Sequence, residues 1–267
     1  MKIAVCIKQV PGTNKVEVDP QTGVLRRNGV DSKLNPFDLY AVETALQVKA
    51  MLGSAEVCAV TMGPPQCEEI IREAYMTGVD DGVILSDRRF AGSDVLATSW
   101  TLAQGIAKVG PFDLIICGKQ TTDGDTAQVG AELAEFLNIP HLCNVTAIET
   151  VDDKHLVATL DMPCHIQKVR VALPCLITVE KGIFEPRLPS FLRKLSTADR
   201  PVKWLKLDDL DDKDEKNYGL NGSPTQVARI FPPEVNQVRE NWHGSGKELA
   251  QRAFELLKER KFLQQVR

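Results

Sequence analysis

Histidine is scarce in this chain, four in 267 residues, and the four stand far apart at 141, 155, 165 and 243. No metal-ligand spacing connects them, so surface or edge positions are expected of each. The seven cysteines, at 6, 58, 67, 117, 143, 164 and 175, form no CxxC and are odd in number. Most lie in apolar, strand-like contexts where cysteine acts as a small hydrophobe. That excludes a disulfide frame and a zinc site and points to the cytoplasm. Basic excess is also lacking: 32 Lys and Arg face 36 Asp and Glu, a net charge of -4. Nothing here attracts nucleic acid or acidic lipid. No apolar run approaches the roughly twenty residues that span a bilayer, so no membrane insertion is expected. Standard motifs are missing too: no Walker A, no GxGxxG, no GxSxG and no Cys–His arrangement.

What is present is 43% hydrophobic and 25% charged residues, a globular composition with length enough to bury a core. The opening MKIAVCIKQV superficially resembles a signal peptide. Its apolar run is too short and Lys8 interrupts it, so it reads as a first buried strand over 3–7. Helical spacing follows over 37–51, with Leu39, Val42, Ala45, Leu46 and Val48 set against Glu43, Gln47 and Lys49. Strands are expected at 56–61, 82–85 and 114–117. Helices are expected at 65–75 with Pro in the first turn, at 94–108 with Ser93 as N-cap, and at 127–137. Strands apolar throughout that alternate with helices predict an α/β fold, a parallel sheet flanked by helices.

From about Val145 the pattern changes. Short antiparallel strands are expected at 145–149, 155–160 and 166–171, and 175–179 is apolar enough to rejoin the main sheet. The segment from 184 to about 237 has no period, which is unusual inside a compact domain and predicts an extended C-terminal arm that packs on something else. A closing helix is expected at 248–260. The expected domains are an α/β nucleotide-binding domain over 1–183, with a hairpin insertion at 145–172, and a recognition loop with arm over 184–267.

In an open parallel sheet, ligands bind beyond the carboxyl ends of the strands, where helix amino ends offer free amides. Four loops qualify: 8–13, 34–38, 61–65 and, above all, 118–130, which reads GKQTTDGDTAQVG. Asn35 can cap the second helix-opening loop, with Pro36 at the first helical position. In the fourth, glycine admits close approach of a phosphate, and Thr126 and Gln128 supply neutral donors. Asp123 and Asp125 repel phosphate, so they meet ribose hydroxyls or cap the helix. From spacing alone, nucleotide contact and plain capping stand side by side. No residue set announces a general acid, base or nucleophile. A nucleotide site without such a set leaves any chemistry to a cofactor.

The stretches CIKQVP, SKLNPFDLYAVETAL, VTMGPP and GKQTTDGDTAQVG resemble the beta subunit of electron transfer flavoprotein, in order and across the whole chain. The later EPRLPS and SPTQVARIFPPE look like the beta subunits of anaerobic bacteria, including those that work with caffeyl-CoA reductase or a flavin-dependent lactate dehydrogenase. The resemblance implies an adenine-nucleotide-alpha-hydrolase-like, Rossmann-like fold and a heterodimer with an FAD-carrying alpha subunit. In the branch whose loop reads like DDDCNQTG the beta subunit holds structural AMP. In the bifurcating branch it reads like DGDTAQVG, as here, and holds a second FAD.

Carried residue by residue, the resemblance puts nucleotide-binding positions at Cys6 and Lys8, at Asn35, Pro36, Phe37 and Asp38, and at Met62. The fourth loop adds Gly118, Lys119, Gln120, Thr121, Thr122, Asp123, Gly124, Asp125, Thr126, Ala127, Gln128 and Val129. It implies NADH as hydride donor, ferredoxin or flavodoxin as one acceptor, and, through the alpha-subunit FAD, an acyl-CoA-type, caffeyl-CoA or lactate dehydrogenase as the other partner. Leu188 and Pro189 stand in the loop that docks this dehydrogenase. One departure is the turn ahead of Pro174, where 161–167 reads DMPCHIQ in place of the family's acid-glycine turn, so a different hairpin is expected there. A non-bifurcating carrier with AMP, and a non-redox nucleotide-binding module, are the alternatives.

Overall fold

The computed structural model describes residues 1–12, 32–228 and 239–263. Two compact units emerge, Met1–Ala228 and Arg229–Arg267.

The first unit is built by alternation. In chain order it runs β1 (Lys2–Cys6), β2 (Gln9–Pro11), β3 (Ser32–Leu34), α1 (Pro36–Leu52), β4 (Glu56–Met62), a 3-10 turn (Pro65–Cys67) and α2 (Glu68–Thr77). Then come β5 (Asp81–Leu85), α3 (Val95–Val109), β6 (Leu114–Gly118), α4 (Val129–Phe136), β7 (His141–Val151), β8 (His155–Met162), β9 (His165–Ala172) and β10 (Cys175–Val179). α5 (Phe191–Ser196) and β11 (Lys203–Leu205) follow. Nine of the strands form one sheet in the order β11-β5-β4-β1-β6-β10-β7-β8-β9, while β2 and β3 pair apart from it.

From β11 to β7 every pairing is parallel. Strands buried on both faces need apolar residues at successive positions, as at 3–6 in β1 and 114–117 in β6. The alternation of side chains assigns them to two cores. Ile3 and Val5 join α1 and α2 on one face, while Ala4 and Cys6 join α3 and α4 on the other. Helices on both faces of a parallel sheet are the architecture expected from the sequence.

Several expectations shift. β7 begins at His141, earlier than the expected 145, and pairs parallel with β10 before turning antiparallel to β8. The hairpin is therefore a continuation of the main sheet, because Val145 and Ile148 reach the same core as Ile177. Its far turn brings Met162 opposite His165, so Pro163 and Cys164 alone close it. α3 is capped by Asp94, whose carboxylate accepts from Ala97 N–H at 3.1 Å, whereas the Ser93 hydroxyl donates to Phe90 O. Glu43, expected on the polar side of α1, is only 3% exposed.

The segment without sequence period is built of short pieces. β11 pairs parallel with β5 at the sheet edge, and Leu207, Leu210 and Tyr218 are buried in the α3–α4 core. Phe90 packs against Tyr218 at 5.5 Å between ring centroids, and the Tyr218 hydroxyl donates to Asp212 O at 2.7 Å. The acidic run at 208–215 ties back at Asp208 to Arg89 and at Asp212 to Trp100. The compact unit accordingly reaches Ala228. In the second unit, α6 (Gly246–Glu259) opens on a capping box between Ser245 and Glu248 and carries exposed Phe254 and Leu257.

Tyr218→Ala is expected to lower the unfolding free energy by about 3 kcal/mol, the loss typical of a large buried aromatic, with urea unfolding as the measurement. A change within about 0.5 kcal/mol, the range of surface substitutions, would mean that 203–228 contributes nothing to this unit.

Candidate functional site

The carboxyl ends of β4, β1, β6 and β10 lie side by side at one edge of the sheet. There the structure gathers Met62, Cys6 with Lys8, and Gly118 with the loop after it; the opening of α1 is bonded to the last two. Cys6 and Cys117 are register partners on β1 and β6, both buried. The thiol hydrogen bond with Cys6 and then burial push the Cys117 thiol well up, which suits packing rather than a nucleophile at Cys117.

α1 begins at Pro36, as expected, but Asn35 does not cap it through its side chain. Asn35 is fully buried, and its amide reaches across the sheet edge instead. Its Nδ2 donates to Gln120 O at 2.9 Å and its Oδ1 accepts from Thr122 N–H at 3.3 Å. One turn on, Asp38 accepts from Lys8 N–H at 2.8 Å and from Gly118 N–H. Asn35 and Asp38 thus tie the loops after β1 and β6 to the start of one helix. Gly118 is required at this crossing, since a Cβ there would stand 2.8 Å from the Phe37 carbonyl carbon and clash with the Asp38 carboxylate. Burial pushes the Asp38 carboxyl up to about 7, against the opposing hydrogen bonds from Lys8, Asn35 and Gly118 and the Lys8 charge.

The loop after β6 does not crowd the helix start with caps. α4 begins at Val129, later than the expected 127, and Gln128 supplies no side-chain cap. Asp125 and Ala127 adopt positive φ, 54° and 55°, and hold the chain in a non-helical path up to that point. Asp123 forms an ion pair with Lys8 Nζ at 2.8 Å, and Asp125 accepts from Gln120 Nε2 at 2.5 Å. Burial raises the Asp123 carboxyl, but the bond and charge of Lys8 outweigh it and hold it below the usual aspartate value. The charge of Asp123 is therefore offset by Lys8 from the loop after β1, while Asp125 is held by the neutral Gln120 amide. Neither caps α4, which corrects that half of the expectation.

α4 is left with first-turn amides that no side chain caps, the arrangement that receives phosphate at helix amino ends. Gly130 allows the helix start to sit down on the sheet, for a Cβ there would come within 2.5 Å of Thr178 Cγ2. Residues 122–128 are all exposed around this opening. An uncapped helix start, glycines at the close approaches and neutral Thr and Gln donors fit a phosphate-bearing nucleotide.

Sequence reasoning overlooked the strand end next door. Lys119 N–H donates to Val179 O at 3.0 Å, and its ammonium pairs with Glu180 at 2.5 Å. β10 was legible as a sheet strand, so its carboxyl-end residues Thr178 and Glu180 could have been counted with the other loops. Thr61 opens the expected 61–65 loop but was not singled out there; its Oγ1 is buried at the end of β4 with no hydrogen-bond partner among the described residues. Leu188 and Pro189 stand apart from the gathered loops, exposed ahead of α5. Among the described residues no group of His, Cys, Asp and Glu could hold a metal, and no helix is long and apolar enough to cross a membrane.

Comparison with known proteins finds relatives that cover nearly the whole chain. The family model of the electron transfer flavoprotein domain matches residues 22–210. The chain is 44% identical to the caffeyl-CoA reductase-Etf complex subunit CarD of Acetobacterium woodii, over 87% of this chain and 88% of that one. It is 41% identical to the electron transfer flavoprotein subunit beta of Clostridium acetobutylicum, over 98% and 100%. It is 43% identical to the protein FixA of Sinorhizobium fredii, over 90% and 86%.

Asp38 is expected to titrate near pH 7, visible as a protonated-carboxyl infrared band that disappears in Asp38→Asn. Its folded value lies above the ordinary 3.8, so this group favours folding most below that value, and the contribution is lost as pH rises toward about 7. A band already lost by about pH 5 as the pH is raised, close to where an ordinary carboxyl titrates, would show that the hydrogen bonds outweigh burial.

Proposed function

This chain belongs to the electron transfer flavoprotein family as a beta-type subunit, and from that premise we propose that its 118–130 loop binds FAD within a heterodimer with an alpha subunit. When bound there, FAD supplies acceptance of a hydride from NADH and delivery of single electrons, one toward ferredoxin or flavodoxin and one through the alpha-subunit FAD to a partner flavin dehydrogenase. The observation that carries the reading is the uncapped start of α4, whose neighbouring acids are already engaged by Lys8 and Gln120.

The chain's own residues have distinct tasks. The first-turn amides of α4 receive the diphosphate, and its negative charge is favoured by the positive end of the helix dipole. Thr126 and Gln128 offer donors to the nucleotide, while Lys8 keeps Asp123 from facing phosphate as a free charge. Asn35 and Asp38 fix the loop before the ligand arrives, which reduces the entropy lost on binding. Leu188 and Pro189, exposed on a separate loop, dock the dehydrogenase, which is of the acyl-CoA, caffeyl-CoA or lactate type. The DGDTAQVG loop supports the bifurcating branch, and the relative from Acetobacterium woodii, named for a caffeyl-CoA reductase complex, supports a partner of the caffeyl-CoA type. The setting is the cytoplasm.

The test is to co-express the chain with its alpha subunit, denature the purified heterodimer and count the nucleotides released. Two FAD per heterodimer is the expected result. One FAD with one AMP would leave a non-bifurcating carrier, and no nucleotide beyond the alpha-subunit FAD would sink the site assignment. In the same assay Gly130→Ala, which drives a Cβ against Thr178, is expected to lose at least half of the loop-bound nucleotide and none of the alpha-subunit FAD.

A further inference from the structure

Glu43 is a charged residue that the nucleotide site does not use. It lies on α1, five residues past Asp38 and so about 7.5 Å farther along the helix axis, and its side chain is only 3% exposed. A carboxylate so placed needs its oxygens satisfied, because an unpaired buried charge is strongly unfavourable. Four hydrogen bonds do this. Arg187 contributes its backbone N–H at 3.2 Å, Nε at 2.8 Å and Nη2 at 2.8 Å, and Gln47 Nε2 adds a fourth at 2.7 Å. Burial raises the Glu43 carboxyl, but these bonds outweigh it and hold it below the ordinary glutamate value. The Arg187 fork is bidentate, the geometry that fixes direction as well as energy.

The next residue is Leu188, 88% exposed, and α5 follows with Phe191, Leu192 and Leu195 exposed at 70%, 77% and 62%. The spacing of the α5 residues leaves an apolar ridge turned to solvent while its base is bolted down. Ser190 N–H donates to Met76 O at 3.0 Å, and farther along Arg200 donates to the carbonyls of Val79 and Asp80 at 2.9 Å each. Residues 181–203 hold six basic and two acidic side chains in a chain of net charge -4. An apolar ridge with a basic rim is complementary to an apolar pocket with an acidic rim.

We propose that Glu43 is a positioning residue for docking: through Arg187 it holds the Leu188–Leu195 ridge preorganised for an acid-rimmed apolar pocket on the partner flavin dehydrogenase. The inference rests on the docking role given to Leu188 above and adds what fixes that leucine in place. Preorganisation lowers the entropy lost when the ridge is immobilised on the partner. Because α1 also opens at Asn35 and Asp38, the docking ridge and the nucleotide loop are held by one helix.

The test uses the assembled heterodimer and an acyl-CoA dehydrogenase supplied with its acyl-CoA, with caffeyl-CoA-type and lactate dehydrogenases as the second and third probes. KM for the dehydrogenase, kcat and nucleotide content are measured for wild type, Leu188→Ala, Glu43→Gln, Arg187→Gln and the Glu43→Gln/Arg187→Gln pair. We expect each single variant to raise KM, Glu43→Gln and Arg187→Gln on the order of tenfold, with kcat and nucleotide content unchanged. The pair should be no worse than either single, since both remove one interaction. A raised KM in Leu188→Ala alone would overturn the inference and leave the docking loop standing. Full additivity in the pair, or loss of nucleotide in both Glu43→Gln and Arg187→Gln, would overturn it as well. If Leu188→Ala has no effect, or none of the three dehydrogenases exchanges electrons with wild type, the docking role itself fails and the inference goes with it.

Discussion

The buried Asn35–Asp38 knot is the constraint on which the rest of the site depends. Two polar side chains at the start of α1 take up backbone groups from two other chain segments, Lys8 after β1 and Gly118, Gln120 and Thr122 after β6. Those bonds are partly buried at the strand ends, where a backbone group without a partner is costly. The knot therefore answers a folding requirement and a functional one together. It closes hydrogen bonds that the parallel sheet leaves open, and it fixes where the 118–130 loop can travel.

The loop then resolves an electrostatic conflict. Two aspartates beside a phosphate-receiving helix start would weaken it by repulsion, yet Lys8 offsets the charge of Asp123 and the Gln120 amide fixes the direction of Asp125. With those charges held, the helix start is left facing outward without a cap. The same economy of groups appears at the middle of α1, where Glu43 is satisfied by a residue 144 positions away. A single helix thus holds the nucleotide loop at its opening turn and the docking loop at its middle.

How much of this was legible depended on the range of the interaction. Elements with a full period, such as α1, α3, β1 and β6, were readable because each carries its own burial pattern. Loop positions at the carboxyl ends of the strands were readable from Pro, Asn and Gly at helix starts. The side-chain partners were not. Asn35 looked like a local cap, and only the fold brings Gln120, 85 residues on, within its reach. Glu43 looked solvated beside Gln47 and Lys49, although a lone acid flanked by Val42, Ala45 and Leu46 was a usable hint of a buried pair. The segment after Phe184 defeated periodicity because its pieces are three to six residues long and are held by backbone contacts, as Tyr75 to Pro201 O at 2.9 Å shows. The helix at 127–137 was read as starting early because positive φ at Asp125 and Ala127 leaves no mark in the sequence.

The central claim is that the amino end of α4, rather than another part of the sheet, carries the phosphates of the nucleotide. It is tested most directly by amide hydrogen exchange on the heterodimer stripped of its nucleotide and then given FAD. Slowed exchange at Val129, Gly130 and Ala131, together with Thr122 and Thr126, is the predicted result. Unchanged exchange there, with protection appearing instead around Lys2, Glu56, Asp81 and Lys203, which line a cavity of about 320 Å³ at the opposite strand ends, would contradict the account.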